Sequence, residues 1–368
     1  MSAMPLYSGA AEALPDRESG ATYRRPPSGA HLGLWFDRFV ELDRAGGAGR
    51  EAQQWIASLG DTCGDQRLLD HAVQRRIELA RSTGGVWGVF VTAGEFVTGM
   101  GLPHPLENGF AWHPTLGVPY LTGRAVKGLV RAWTTLWESA LSDGEYDARM
   151  TAWFGDGDPD SSAGGLIFFD AFPIECPSIG ADVMTPHYGK WYEAGGTRPN
   201  LPETIPGDWH DPVPVSFLVT KNASFLFVIA PRSGHCTTAD VEDALQALAR
   251  ALDYLGAGAK TAAGYGRMVL DEKLTAGLGV DPIERAMQEV AEEGLREHRY
   301  SPHVAWLTEL QRGDASRWCG SERLEVAHRL RGYMQDKGFW RPSEDIPGKK
   351  DNLKRTLEVL SILDEDDS

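Results

Sequence analysis

Apolar residues along this chain change their period several times, and each change marks an element. Between residues 124 and 141, Val126, Leu129, Val130, Trp133, Leu136, Trp137 and Ala140 fall on one stripe at about 100° per residue, the signature of an amphipathic helix. Residues 239–255 repeat that period, with apolar side chains at 241, 245, 248, 252 and 255. Thr237 followed by Asp240 has the form of a capping box, with Asp in place of the usual Glu, so the second helix is predicted to start there. Helical patterns also cover 31–44 and 66–81. By contrast, residues 86–98 concentrate Val86, Trp87, Val89, Phe90, Val91, Phe96 and Val97, which predicts a strand, as do 165–172 and 266–270. Two runs, 213–220 and 224–230, alternate apolar and polar residues around Lys221 and Asn222 and predict a hairpin.

The resulting order is strand, helix, strand, extra strands, helix, strand. It predicts an α+β fold built on an elaborated ferredoxin-like (RRM-like, β-α-β-β-α-β) domain with helical N- and C-terminal extensions. Four segments are expected. Residues 1–30, rich in Gly, Pro, Ser and Ala, are expected to be disordered or loosely packed. Residues 31–85 form a helical segment, 86–275 the ferredoxin-like domain, and 276–368 a charged helical extension with an acidic tip at 364–368.

Composition narrows the function classes. No apolar run approaches the roughly 20 residues that span a bilayer, so no membrane partner is expected. Residues 1–27 lack a basic stretch followed by an apolar one, which speaks against a secretory signal. Cys63, Cys176, Cys236 and Cys319 are scattered without a CxxC pair, so neither a zinc site nor a disulfide framework is expected, and a cytoplasmic location fits best. The net charge of −16 is spread along the chain: residues 87–275 carry 12 basic and 22 acidic side chains, and 276–368 carry 14 and 19. Any nucleic acid must therefore meet a local basic patch on an acidic body.

Two segments offer such a patch. Gly123, Arg124, Lys127 and Arg131 open the helix at 124, the three cations sharing a face nearly opposite the apolar stripe. Cations in the first two turns oppose the helix dipole, and a bound phosphate would reverse that penalty. The second segment is the glycine-rich stretch 256–267, between the second helix and a strand. It is not a P-loop, because Ala259 replaces the glycine before Lys260 and the order runs from helix to strand. Its chemistry lies in Gly256, Gly258, Lys260, Thr261, Gly264, Tyr265 and Arg267. Successive N–H groups make an anion-binding nest, and Tyr265 is available to stack on a base. Gly256 suffices as a helix cap, so Gly258 and Gly264 are expected to let RNA approach the backbone.

Together these segments resemble the RAMP superfamily of CRISPR proteins. The runs Gly101-Leu-Pro-His-Pro-Leu-Glu-Asn-Gly-Phe110 and Pro119-Tyr-Leu-Thr-Gly-Arg-Ala-Val-Lys-Gly-Leu-Val-Arg131 resemble, more narrowly, the sixth-subunit family of type III-B (Cmr) complexes. So do Gly165-Leu-Ile-Phe-Phe-Asp-Ala171, Asp182-Val-Met-Thr-Pro-His-Tyr188 and Pro212-Val-Pro-Val-Ser-Phe-Leu218, and the resemblance spans about residues 85–275. It implies a non-catalytic subunit that binds the CRISPR guide RNA near its 3′ end and caps the head of the backbone filament. Its implied partners are guide RNA, target RNA, and the backbone and other Cmr subunits. The alternative within the superfamily is a metal-independent endoribonuclease using His104 or His187 as acid or base.

Other motifs carry less. Asp156, Asp158 and Asp160 mimic the start of a calcium loop, but Ser161 and Ile167 occupy the positions that need Gly and Glu. Asp170 has no carboxylate partner at a metal-binding spacing. The sequence implies no metal and no cofactor.

Overall fold

The computed structural model describes residues 25–27, 29–40, 50–137, 143–155, 163–194, 201, 205, 209–232, 236–280, 282–342 and 350–364. Most of the segment expected to be disordered, the aspartates at 156, 158 and 160, and residues 365–368 of the acidic tip lie outside these. The chain divides into two units, Met1–Thr275 and Ala276–Ser368.

In the first unit, β1 (Val86–Thr92) is an interior strand, paired on both edges and buried at its middle residues. It pairs antiparallel with β6 (Ser224–Pro231), Val86 opposite Ile229 through Val91 opposite Ser224. On its other edge it pairs antiparallel with β7 (Met268–Leu270). Two short strands, β2 (Leu166–Phe168) and β3 (Phe172–Pro173), both pair antiparallel with β6, giving the order β2-β6-β1-β7. The helices α4 (Gly123–Trp137) and α7 (Thr238–Tyr254) connect these strands and pack on one face. Val126, Val130, Leu248 and Leu252 meet Phe90, Phe225 and Phe227 there in one buried cluster. The alternate residues Val89, Leu226 and Val228 are also buried, and α3 (Gln66–Thr83) packs against β1 and β6. With both faces covered, these strands read as near-continuous apolar runs.

Preceding α3 are α1 (Leu32–Arg38), shorter than the predicted helix at 31–44, and α2 (Arg50–Ser58). The helix α5 (Asp143–Phe154) follows α4. A second sheet pairs β4 (Ser178–Met184) with β5 (Val215–Lys221), Ser178 opposite Lys221 through Met184 opposite Val215, and α2 covers it. The short α6 (Gly189–Ala194) lies between those strands in sequence.

The predicted hairpin at Lys221 and Asn222 does not form. Instead β5 and β6 follow one another along the same partner. Val91 opposes Ser224 and Phe96 opposes Thr220, and Phe96 and Thr220 exchange N–H···O bonds of 2.9 and 2.8 Å. A two-residue type I′ reversal needs left-handed backbone at both central positions. Only Asn222, with φ 48°, has it here, so the chain kinks and continues.

The capping box forms as expected. Asp240 N–H donates to Thr237 Oγ1 at 3.3 Å, and Thr237 N–H donates to Asp240 Oδ2 at 2.9 Å. Trp153 Nε1 adds a 3.2 Å bond to Asp240 Oδ1 and so ties α5 to the start of α7.

The second unit is helical. After α8 (Glu272–Gly279), which crosses the boundary, come α9 (Pro282–His298), α10 (Pro302–Leu310), α11 (Gly320–Asp336) and α12 (Lys350–Asp364). Met287, Trp306, Leu310, Trp318, Leu330 and Val359 belong to its own core, and Trp306 Nε1 donates to the Met287 carbonyl at 2.5 Å. Among the described residues no helix is long and apolar enough to cross a membrane.

Burial acts to raise the Asp240 pKa, but the bonds from Thr237 and Trp153 outweigh it and hold the carboxyl below its ordinary value. A depressed folded pKa gives stability that is present above the unfolded value and is lost as pH falls through the folded one. Thr237→Ala should therefore cost about 1 kcal/mol at pH 7 in urea unfolding. Asp240→Asn should also destabilise at pH 7, with the gap to the wild type narrowing below about pH 4. A gap that widens on acidification would contradict the role given to the carboxylate.

Candidate nucleic-acid interface

The glycine-rich stretch leaves α7 at Gly256 and returns to β7 through a tight double-back. Ala257 N–H donates to the Gly266 carbonyl at 2.8 Å, closing the loop on itself. Three more bonds fasten it to the segment after β1: Ala259 N–H to the Val97 carbonyl, Gly266 N–H to Glu95, and Ala93 N–H to Arg267, at 2.8, 2.8 and 2.9 Å. Gly258 has φ 87°, and a Cβ there would lie 2.1 Å from the Val97 oxygen. Gly266 has φ 73°, and its Cβ would lie 1.8 Å from the Ala257 oxygen. These glycines exist because backbone passes backbone. That corrects the expectation for Gly258: its close neighbour is Val97 of the same chain. Gly256, at φ 70°, caps the helix beside Thr261 and Tyr265, while Gly264, at φ 96°, faces open space.

Inside the loop, Lys260 takes φ 60° and precedes a single 3₁₀ turn, Thr261–Ala263. Its Nζ lies 5.2 Å from the Phe217 ring centroid, a cation–π contact with β5. Tyr265 is held rather than free to stack. Its hydroxyl donates to Asp182 Oδ2 at 2.5 Å and its ring meets Phe217 edge-on at 5.9 Å. Burial, together with the bond to Asp182 and the charges of Asp182 and Glu95, pushes the Tyr265 phenol up to about 12. Arg267 is likewise committed, its guanidinium pairing with Asp253 at 2.8 Å. Lys221 pairs with Glu95 at 3.1 Å beside this contact, so Glu95, Asp182, Lys221 and Tyr265 clamp the loop to the β4–β5 sheet.

The start of α4 is built from a different set. Gly123 N–H donates to Asp170 Oδ1 at 2.6 Å, and a Cβ on Gly123 would lie 2.1 Å from the Phe168 oxygen. Asp170 thus serves the free end of the helix, and Arg76 Nη1 secures the same turn through the Asp170 carbonyl at 2.8 Å. Lys127 is half-buried, its Nζ donating to the Phe154 carbonyl at 3.0 Å at the end of α5. Burial, then the charges of Arg131 and Arg232, lowers its pKa. Arg124 and Arg131 are exposed.

The loop and α4 do meet, but on another face of the helix. A groove of about 770 Å³ lies between them. Its walls include Thr122, just before α4, Ala125 and Leu129 of α4, and Gly256, Gly258 and Thr261 of the loop. Residues 98–102 and Tyr120 complete it. Arg124, Lys127 and Arg131 are not among its lining. The sequence reading missed Glu95, Asp182 and Lys221, although Asp182 opens one of the motifs quoted above.

His104 is enclosed by backbone. Its Nε2 lies 2.9 Å from the Phe36 carbonyl, its Nδ1 accepts from Leu106 N–H at 3.2 Å, and its ring stacks on Phe36 at 4.1 Å. Burial lowers its pKa. His187 is exposed beside Tyr188. Among the described residues no three His, Cys, Asp or Glu side chains converge as a metal site requires.

This geometry predicts that Gly258→Ala will destabilise the protein by a few kcal/mol, because it adds both a backbone clash and a disfavoured φ. Gly264→Ala, with open space around it, should cost less. Thermal melts of the two variants check the order, and equal losses would contradict it.

The model of the RAMP superfamily matches residues 83–269, which runs from the end of α3 to β7. The CRISPR system Cmr subunit Cmr6 of Pyrococcus furiosus is 30% identical, over 52% of this chain and 70% of that protein. The crystal structure of Cmr6 from the same organism aligns at 27% identity over 51% of this chain and 98% of that one, with a TM-score of 0.31. A chain in the cryo-electron microscopy structure of the type III-B Cmr-beta complex bound to cognate target RNA aligns at 19% identity, covering 60% of this chain and 70% of that one, with a TM-score of 0.44. With a family match across half its length and a relative aligned over more than two thirds of that relative, the chain belongs to the RAMP superfamily, in its Cmr6 family.

Proposed function

We propose that this chain is a guide-RNA-binding subunit of a type III-B Cmr ribonucleoprotein in the bacterial cytoplasm. In this reading it caps the head of the backbone filament near the guide 3′ end and has no catalytic step of its own. Its partners are the guide RNA, the target RNA and neighbouring Cmr subunits. The kinship with Cmr6 supports the assembly. The strand order β2-β6-β1-β7, with α4 and α7 on one face, supports a ferredoxin-like core elaborated by the β4–β5 sheet.

The observation that carries the RNA reading is the groove where the glycine-rich loop faces the first turns of α4. One wall is the loop with the Thr261 hydroxyl, and the other offers Thr122 and small apolar side chains, while the N–H groups of Gly256, Ala257 and Ala259 are already given to Ala251, Gly266 and Val97. Such a wall suits a sugar–phosphate backbone read by hydrogen bonds and shape. Gly256, Gly258 and Gly264 hold the loop's left-handed turns. Gly123 seats the helix start, Tyr265 and Arg267 brace the loop, Lys260 holds it from the other side against Phe217, and Thr261 faces the strand. Arg124 and Arg131 add phosphate contacts where the backbone passes around the helix start. Lys127 contributes charge from beneath them.

Purified protein incubated with repeat RNA in EDTA should bind it tightly and leave it intact, whereas specific cleavage would favour the endoribonuclease reading. Arg124→Ala and Arg131→Ala should each flatten the slope of log K against log salt by roughly 0.7 without changing the melting temperature. Lys127→Ala should flatten it less and melt lower, because it strips a donor from the end of α5. Unchanged slopes in both arginine variants would make them solvated surface.

A further inference from the structure

A second basic site lies in the helical unit Ala276–Ser368, well away in sequence from the groove. The end of α11 and the first turns of α12 enclose a concavity of about 590 Å³. Lys337, Phe339, Lys350, Asp351, Asn352 and Arg355 line it. With Gly338 there are seven lining residues, of which three are cations and one is an acid, in a segment that carries 14 basic and 19 acidic residues.

Four other cations of this unit are paired with a glutamate. Arg312 pairs with Glu309 at 2.9 Å, Arg317 with Glu293 at 2.6 Å, Arg329 with Glu325 at 2.7 Å and Lys354 with Glu358 at 3.8 Å. Among the described residues Lys337, Lys350 and Arg355 have no carboxylate within ion-pair distance. The contact of Arg355 is a long 3.5 Å bond to Asn352 Oδ1. Lys337, which caps the end of α11, suits the negative end of that helix. Lys350 is the first residue of α12 and Arg355 lies within its first two turns, so both stand at the positive end of theirs. At Lys350 and Arg355 the positive charge opposes the helix dipole, and a bound anion removes that penalty.

The wall also carries a ring. Phe339 is half-buried and stacks on His303 at 4.5 Å. A flat apolar ring beside three cations and an amide matches a nucleotide, with its phosphate and base, better than it matches an acidic peptide.

We propose that this pocket binds single-stranded RNA, its phosphate held by Lys337, Lys350 and Arg355 and the adjoining base set against Phe339. The site goes beyond the groove described above and does not use any residue of it.

The test uses the full chain and a fluorescein-labelled ten-nucleotide oligouridylate, with Lys337→Ala/Lys350→Ala as the variant. Lys354→Ala, which removes a cation from the same helix outside the pocket, is the control. Losing two contacts should flatten the salt slope by about 1.4 and weaken binding roughly five- to tenfold near physiological salt, while the control stays within about twofold. A 4-thiouridine in the oligonucleotide should photo-crosslink to the peptide containing Phe339, and the double variant should lose that cross-link. Melting temperatures should not move, since these lysines are exposed, and Arg355→Gln provides a second variant should the first fold poorly. An unchanged affinity and slope with RNA binding otherwise intact overturns this proposal alone. An equal loss in the control reduces the pocket to bulk charge and overturns it too. Normal RNA binding with loss of a co-purifying subunit makes it a protein contact, which also overturns it. A chain that binds no RNA at all overturns both this site and the function proposed for the groove.

Discussion

The close passage of the glycine-rich loop against the segment that follows β1 is the constraint on which the first unit depends. At Gly258 and Val97 the two backbones approach so closely that a single added carbon would lie 2.1 Å from a carbonyl oxygen. The contact ties the end of α7 to the extension of the central strand and, through Phe96 and Thr220, to the second sheet. The groove follows from it. With the loop folded down at Val97, its turn at Gly256–Thr261 faces Ala125 and Leu129 of α4 instead of standing out in solvent. Tyr265 and Lys260, which reach Asp182 and Phe217, lock the arrangement from the other side.

That economy changes what the charged residues do. Arg267 and Tyr265 read in isolation as ligands for RNA, yet Asp253 and Asp182 occupy them. Their contribution is rigidity, which lowers the entropy lost when a flexible strand settles on the loop. The acidic character of the chain has the same consequence at part of the helical unit, where Arg312, Arg317, Arg329 and Lys354 are matched by glutamates. What distinguishes Lys337, Lys350 and Arg355 is that they line one concavity.

Local features were legible in the sequence, and long-range ones were not. The capping box at Thr237 and Asp240, the period of α4 and the positions of β1, β6 and β7 depend on residues close in sequence, and they appear within a few positions of where the pattern puts them. The hairpin at Lys221 and Asn222 failed because one left-handed residue kinks a chain without reversing it. The apolar stripe of α4 also overreached, since Leu136 and Trp137 are 62% and 54% exposed, and Trp137 and the exposed Tyr254 lie over the buried Trp133. For the candidate interface, the sequence points to segments but not to the faces they present. Spacing puts Arg124, Lys127 and Arg131 on one side of a helix, but only the packing of α5 and of the loop decides which side looks into the groove. The partner of Tyr265 lies 83 residues away, beyond the reach of any local pattern.

The central claim is that guide RNA runs through the groove between the loop and α4. Site-specific cross-linking in a purified, assembled complex tests it most directly, with 4-thiouridine near the guide 3′ end and the attachment sites mapped by mass spectrometry. The account predicts attachment to peptides spanning residues 98–102, 120–132 and 256–261. Attachment confined to other parts of this chain, or to neighbouring subunits alone, would contradict it.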